Sequence, residues 1–133
     1  MSDARSLVFT ALTTDSALNT LGIDANSVWS AGSLDGPLPG PFAVLRWGPV
    51  SKGFGPVNSA TVSVYVHDSD SNYDTINAIL SRMRAVMLSL CASGQAANWI
   101  LEVEWLGDSG DLEDQQYKTL MRNADFRVVA NTL

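Results

Sequence analysis

Cysteine is nearly missing from this chain of 133 residues. The one that occurs, Cys91, excludes an internal disulfide framework and a cysteine-built zinc site. Standing at the end of a helical pattern, it reads as a small buried apolar residue. Histidine is equally scarce, with His67 alone, so no second imidazole is on hand for proton transfer or metal binding. Positive charge is thin as well. Eight Lys and Arg face fourteen Asp and Glu, giving a net charge of −6 and a pI near 4.4. That balance excludes an electrostatic grip on nucleic acid, which needs clustered Lys and Arg, and it disfavours docking on an anionic membrane. Charged residues of both signs make up only 17%, a composition suited to a chain that spends surface on other subunits. No apolar run approaches the roughly 20 residues of a membrane-spanning helix. The opening Met-Ser-Asp-Ala-Arg lacks the basic-then-apolar layout of a secretion signal. Internal repeats and low-complexity tracts are lacking too. The expectation is one soluble domain over residues 1–133, assembled in a cytoplasm.

What is present is a clear change of period. In Ser59–His67, Val62, Val64 and Val66 alternate with Thr61, Ser63 and Tyr65, the pattern of a strand with one dry face. After the polar turn at 68–72, Ile76, Ile79, Leu80, Met83, Val86, Met87 and Leu90 recur at three- and four-residue spacing and form one helical stripe. Upstream, Ala4, Leu7, Val8, Ala11 and Leu12 share a helical face over residues 3–13. Asp15 then caps a short turn of helix that Gly22 stops. Residues 26–30 are a candidate short strand, and the Gly- and Pro-rich stretch 31–41 reads as an extended loop. Phe42–Trp47 is a strand, followed by a long hairpin loop at 48–58. Further strands are predicted over Trp99–Leu106 and over residues 119–131, separated by an acidic loop at 107–116. The simplest assembly is an α+β two-layer sandwich. Its four-stranded, mainly antiparallel sheet runs Phe42–Trp47, Ser59–His67, 119–131, Trp99–Leu106, with two helices on one face.

Four local patterns invite a chemical reading, and each has a plainer one. Asp68, Asp70, Asn72 and Asp74 have the spacing of the start of a calcium loop. Tyr73 stands where that loop needs glycine, however, and Ile79 where it needs glutamate. The plainer reading is a helix start, capped by Ser71 with Asp74. Gly107-Asp-Ser-Gly110 matches the local run around a serine-protease nucleophile, but the chain is too short for the double barrel that carries it, and a turn is the better reading. His67 ends a strand and is expected to hydrogen-bond structurally. Glu102 and Glu104, two apart on a wet strand face, imply no pocket and read as a solvated or pore-lining surface. The glycines between Gly48 and Gly55 lack the Gly-Lys-Ser/Thr of a phosphate loop. No catalytic, cofactor or metal residue is assigned.

The layout as a whole resembles the tail terminator (tail completion) proteins of bacteriophages with long, non-contractile tails. The resemblance rests on an N-terminal helix followed by Asp15-Ser-Ala-Leu-Asn-Thr-Leu-Gly22, a Pro-rich approach to Phe42-Ala-Val-Leu-Arg-Trp47, and the strand end Val-Tyr-Val-His67-Asp68. It continues in the helix start Tyr73-Asp-Thr-Ile-Asn-Ala-Ile-Leu80 and in Gly107-Asp-Ser-Gly-Asp-Leu-Glu-Asp114 leading to Arg122-Asn-Ala-Asp-Phe-Arg-Val128. These pieces cover nearly the whole chain. The resemblance implies a structural virion protein at the tail–head junction. Such a protein forms a ring, expected to be hexameric, on the head-proximal end of the tail tube. It halts addition of tube protein and presents a docking surface to head-completion and connector proteins. DNA would pass through the ring without specific binding, with Glu102 and Glu104 as candidate pore-lining acids whose charge repels phosphate. The loops carrying Lys52, Gly53 and Phe54, and Asp108, Asp111, Glu113 and Asp114, are the candidate contacts to tube or neck. The sheet edge at Phe42–Trp47 or Trp99–Leu106 is a candidate contact between subunits. A head-completion or stopper adaptor is the neighbouring alternative, and a small ligand-binding or enzymatic α+β domain the remote one.

Overall fold

The computed structural model describes residues 4–30, 40–53, 57–69, 73–92, 100–115 and 118–131. The readings placed on Phe54, Asp70, Ser71 and Asn72, on the Cys91 and Leu101 side chains and on most of the 31–41 loop lie outside the described residues.

Two long strands form the middle of the sheet, β4 (Asn58–Asp68) and β7 (Thr119–Ala130). They run antiparallel in unbroken register, from Asn58 opposite Ala130 to Asp68 opposite Leu120. The side-chain period of two gives one face to the core, so Ala60, Val62, Val64 and Val66 on β4 are buried with Ala124, Phe126, Val128 and Ala130 on β7. Each outer flank of this pair carries one longer and one shorter strand. On β4 these are β2 (Phe42–Trp47) and β3 (Ser51–Lys52). On β7 they are β5 (Ile100–Asp108) and β6 (Leu112–Asp114). A further strand, β1 (Val28–Ser30), adds to β2 in parallel. The main path is β1-β2-β4-β7-β5.

All helices cover the dry face. α3 (Asp74–Ala92) lays Ile76, Ile79, Leu80, Met83, Val86 and Met87 into the core, each worth about 1.5–3 kcal/mol of transfer free energy. α1 (Ala4–Thr14) adds Ala4, Val8 and Leu12. It ends where the Thr13 and Thr14 hydroxyls donate back to the carbonyls of Phe9 and Thr10 at 2.8 and 2.7 Å, a local bond that competes with continuing the helix. Asp15 then caps α2 (Ser16–Thr20), accepting from the Leu18 amide at 3.1 Å. The same carboxylate takes a two-pronged contact from Arg82 of α3, Nε and one terminal nitrogen each at 2.8 Å. That fork holds the Asp15 carboxyl below the usual carboxylate range and ties α2 to α3.

The α+β class and the order of the four main strands follow the sequence expectation. The sheet itself is larger and mixed. Among the described residues it has seven strands rather than four, and the β1–β2 pair is parallel. The helices number three among the described residues, because Asp15 separates α2 from α1. The reason for the extra strands is the length of β4 and β7. β2 covers only residues 62–67 of β4, and β3 takes the free ladder at Asn58 and Ser59. In the same way β5 covers β7 from 124 to 130, and β6 takes 119 to 121. β1 also removes Phe42–Trp47 from the sheet edge, so of the two candidate edges the one on β5 remains.

Candidate interaction surfaces

The sheet face away from the helices is polar and uncovered by any described helix. Ser63 on β4 donates to Asp125 on β7 at 2.6 Å, and Asn123 donates to the same carboxylate at 3.2 Å. Farther out, Glu102 and Glu104 of β5 project on this face, both exposed. Register places Glu104 opposite Arg127, whose terminal nitrogen lies 2.6 Å from Glu104 and 3.8 Å from Glu102. The two acids form a group with one shared cation and a residual charge of −1. Arg127 was not singled out in the sequence, since the pair spans 23 residues and depends on the ladder register.

The described part of the acidic stretch, residues 107–115, is a hairpin arm rather than a free loop, with Leu112–Asp114 paired to β7. Gly107 takes a φ of +135° at a register shift in β5, a conformation open to glycine. Ser109 then fastens the turn to β7. Its amide donates to the Asn123 carbonyl at 2.8 Å, and its hydroxyl accepts from the Asn123 amide at 3.0 Å. The Ser109 hydroxyl thus links the turn to β7. Arg122 completes the fastening. Its Nε and one terminal nitrogen donate to the Ser109 carbonyl at 3.1 and 2.9 Å, the other terminal nitrogen contacts Asn77 of α3, and Asp111 stands 3.7 Å away. Tyr73, just before α3, donates to the Leu112 carbonyl at 2.8 Å. Of the predicted contact residues, Asp108, Asp111 and Glu113 are exposed, and Asp114 is half-buried. Asp108 accepts from the Trp105 indole at 2.9 Å.

The opposite arm is ordered up to its tip. Gly48 donates to the Thr61 carbonyl at 2.8 Å, carrying the chain from β2 into β3, and Gly53 donates to the Val57 carbonyl at 2.8 Å to close the tip. A Cβ at Gly53 would meet that same carbonyl oxygen at 2.8 Å, so the close approach requires glycine. Lys52 and Gly53 are exposed. Within the 48–58 stretch, Ser51 and Lys52 pair with Ser59 and Asn58, so its described part includes ladder where a loop was expected.

His67 is buried. Its ring stacks on Phe42 with centroids 4.6 Å apart, and Nδ1 lies 2.9 Å from the Thr119 hydroxyl. Burial pushes its pKa below the usual imidazole value, partly offset by the nearby Asp114 charge. Of the calcium-like series, Asp68 is buried in the ladder opposite Leu120 and Asp74 begins α3. No group of three or more His, Cys, Asp or Glu among the described residues could hold a metal ion. A groove of 370 Å³ lies beside His67, lined by Ser69, Glu113, Asp114, Gln115, Lys118, Thr119 and Leu120. It carries charge of both signs.

No protein-family model matches the chain, and no curated protein does. The fold recurs among solved structures in a chain of the virion of a native gene transfer agent particle. The TM-score is 0.67 over 92% of this chain and 90% of that chain, at 17% sequence identity. The two chains therefore share a fold from end to end.

Proposed function

We propose that this chain is a structural protein of a phage-like virion, acting as the tail terminator. It forms a ring, hexameric in this reading, on the head-proximal end of the tail tube. There it ends tube growth and offers the head its docking surface. The observation that carries the reading is the end-to-end likeness of fold to a virion chain, with nearly all of each chain covered. The order of sequence pieces that resembles tail terminators narrows it from virion component to terminator. The mechanism is surface complementarity: one ring face matches the last tube layer and the other does not accept another. No bond is made or broken, and no cofactor is needed.

In this reading the exposed acids of the open face, Glu102 and Glu104, line the pore, with Arg127 fixing their geometry. The turn at Gly53, on the opposite side of the sheet, meets tube or neck proteins. Ordered arms suit such docking, because little loop entropy remains to be lost on contact. The test is direct. Purified protein is added to polymerising tail-tube protein, and tube lengths are measured by electron microscopy. The expected result is shorter, capped tubes with one added ring at one end. Unchanged lengths with binding to the portal side instead would assign the protein to the head-completion adaptors.

A further inference from the structure

Charge is segregated along this chain to an unusual degree. From residue 36 to residue 67 there is no Asp or Glu, while Arg46 and Lys52 fall within that span. From Glu102 to Gln115 there are six acids (Glu102, Glu104, Asp108, Asp111, Glu113 and Asp114) and no Lys or Arg. The fold places the first span on the β2–β3 flank of the sheet and the second on the β5–β6 flank, with β4 and β7 between them. Arg46 and Lys52 are exposed and form no ion pair with a described residue; Glu113 is likewise exposed and forms none.

Two more observations fall on the same two flanks. Each of β3, β5 and β6 pairs on one side only among the described residues, so backbone donors and acceptors line both flanks. Large apolar side chains are exposed there as well. Val50 stands beside β3, while Trp105, Leu106 and Leu112 stand on β5 and β6. Leu88 on α3 is the remaining exposed large apolar residue among those described. Open ladder and apolar contact therefore coincide on each flank, and the net charges are opposite. Arg84 over Trp105, Arg122 beside Asp111 and Arg127 beside Glu102 and Glu104 offset half of the six acids on one flank, while Arg46 and Lys52 on the other form no ion pair with a described residue.

We infer that the acidic β5–β6 flank of one copy docks on the basic β2–β3 flank of a second copy of this chain. The contact is heterologous, since the two patches differ, and it repeats from copy to copy. Such a contact closes into a ring if the rotation per copy divides a full turn. It deepens the ring of the proposed function and rests on that reading for closure only. The Gly53 tip, beyond the flank, stays free to meet another protein.

The chain itself supplies the probe. Lys52 and Lys118 are its two lysines, so a zero-length carbodiimide cross-link reports which acid touches Lys52. A mixture of isotope-labelled and unlabelled protein, taken up to millimolar concentration, identifies the links made between copies by mass. The expected links join Lys52 to acids within 108–114 of another copy. Reversing Arg46 and Lys52 to Glu, or Asp111 and Glu113 to Lys, should each lower association about ten-fold, measured by sedimentation at low salt. Mixing the two reversed proteins should restore it, because each altered flank then meets an altered partner of opposite sign. Circular dichroism confirms that each variant is folded.

Inter-copy links confined to other residues, equal association of the reversed proteins, or a monomer at every concentration would overturn the contact. Failure of this contact is separable from failure of the terminator reading. Reversed proteins that still cap tubes would remove the contact and leave the terminator. Flank-to-flank assemblies that never cap tubes would do the opposite.

Discussion

Burial of His67 against Phe42, with Thr119 as its polar partner, makes folding stability depend on pH. The native pKa is lowered, so the unfolded chain takes up the proton first as pH falls. The stabilising contribution is complete above the ordinary value of 6.5 and is lost as pH drops from there toward the lower native pKa. His67→Phe keeps a ring on Phe42 and removes the titration. Its melting temperature should fall less than that of the parent between pH 6.5 and mildly acidic conditions, at a cost of about 1 kcal/mol near neutrality for the orphaned Thr119 hydroxyl. A parallel pH dependence in both proteins would contradict this account of His67. At Glu102 and Glu104 the contribution to stability is small, since exposed pairs with one arginine are worth at most about 1 kcal/mol. Their proposed role is electrostatic repulsion of passing DNA. Replacing both with Lys should leave assembly intact and slow genome ejection, measured by dye uptake from triggered particles. Ejection at the parent rate would remove this face from the pore.

Among elements, the acidic arm depends on Arg122, which reaches Ser109, Asn77 and Asp111 from one side chain. Arg122→Ala should cost about 1.5–3 kcal/mol, the range for hydrogen bonds to a charged group. Hydrogen exchange at Ser109–Asp114 should quicken more than in β4. Arg122→Lys should not restore it, because an ammonium lacks the planar fork. Uniform quickening across the sheet would instead show that the arm has no separate stability. β4, β7 and α3 were legible in the sequence because their periods of two and about 3.6 coincide with a one-sided core. β1 was visible as a candidate strand at 26–30 without its place in the sheet. β3 and β6 were not legible, for they have two and three residues and are too short to display a period. Their signal lay elsewhere, in the mismatch between an eleven-residue β4 and a six-residue β2. The candidate acids were visible as residues, while their fixing partners, Arg127 and Arg122, became visible only with register.

On the scale of the whole molecule, a one-sided sheet with three helices behind it leaves a polar face and two flanks uncovered by described elements. The core lies between the sheet and the helices. Phe126, Met83 and the β4 valines fill it from three directions. Function in this account therefore resides in outward surfaces, one set for the tube and head and another for sister copies. The central claim is that the protein ends tube growth. It is tested most directly by the tail-length distribution of tailed particles made with this gene deleted. The account predicts tubes of overlong and irregular length without heads. Tails of normal length that lack heads would contradict it.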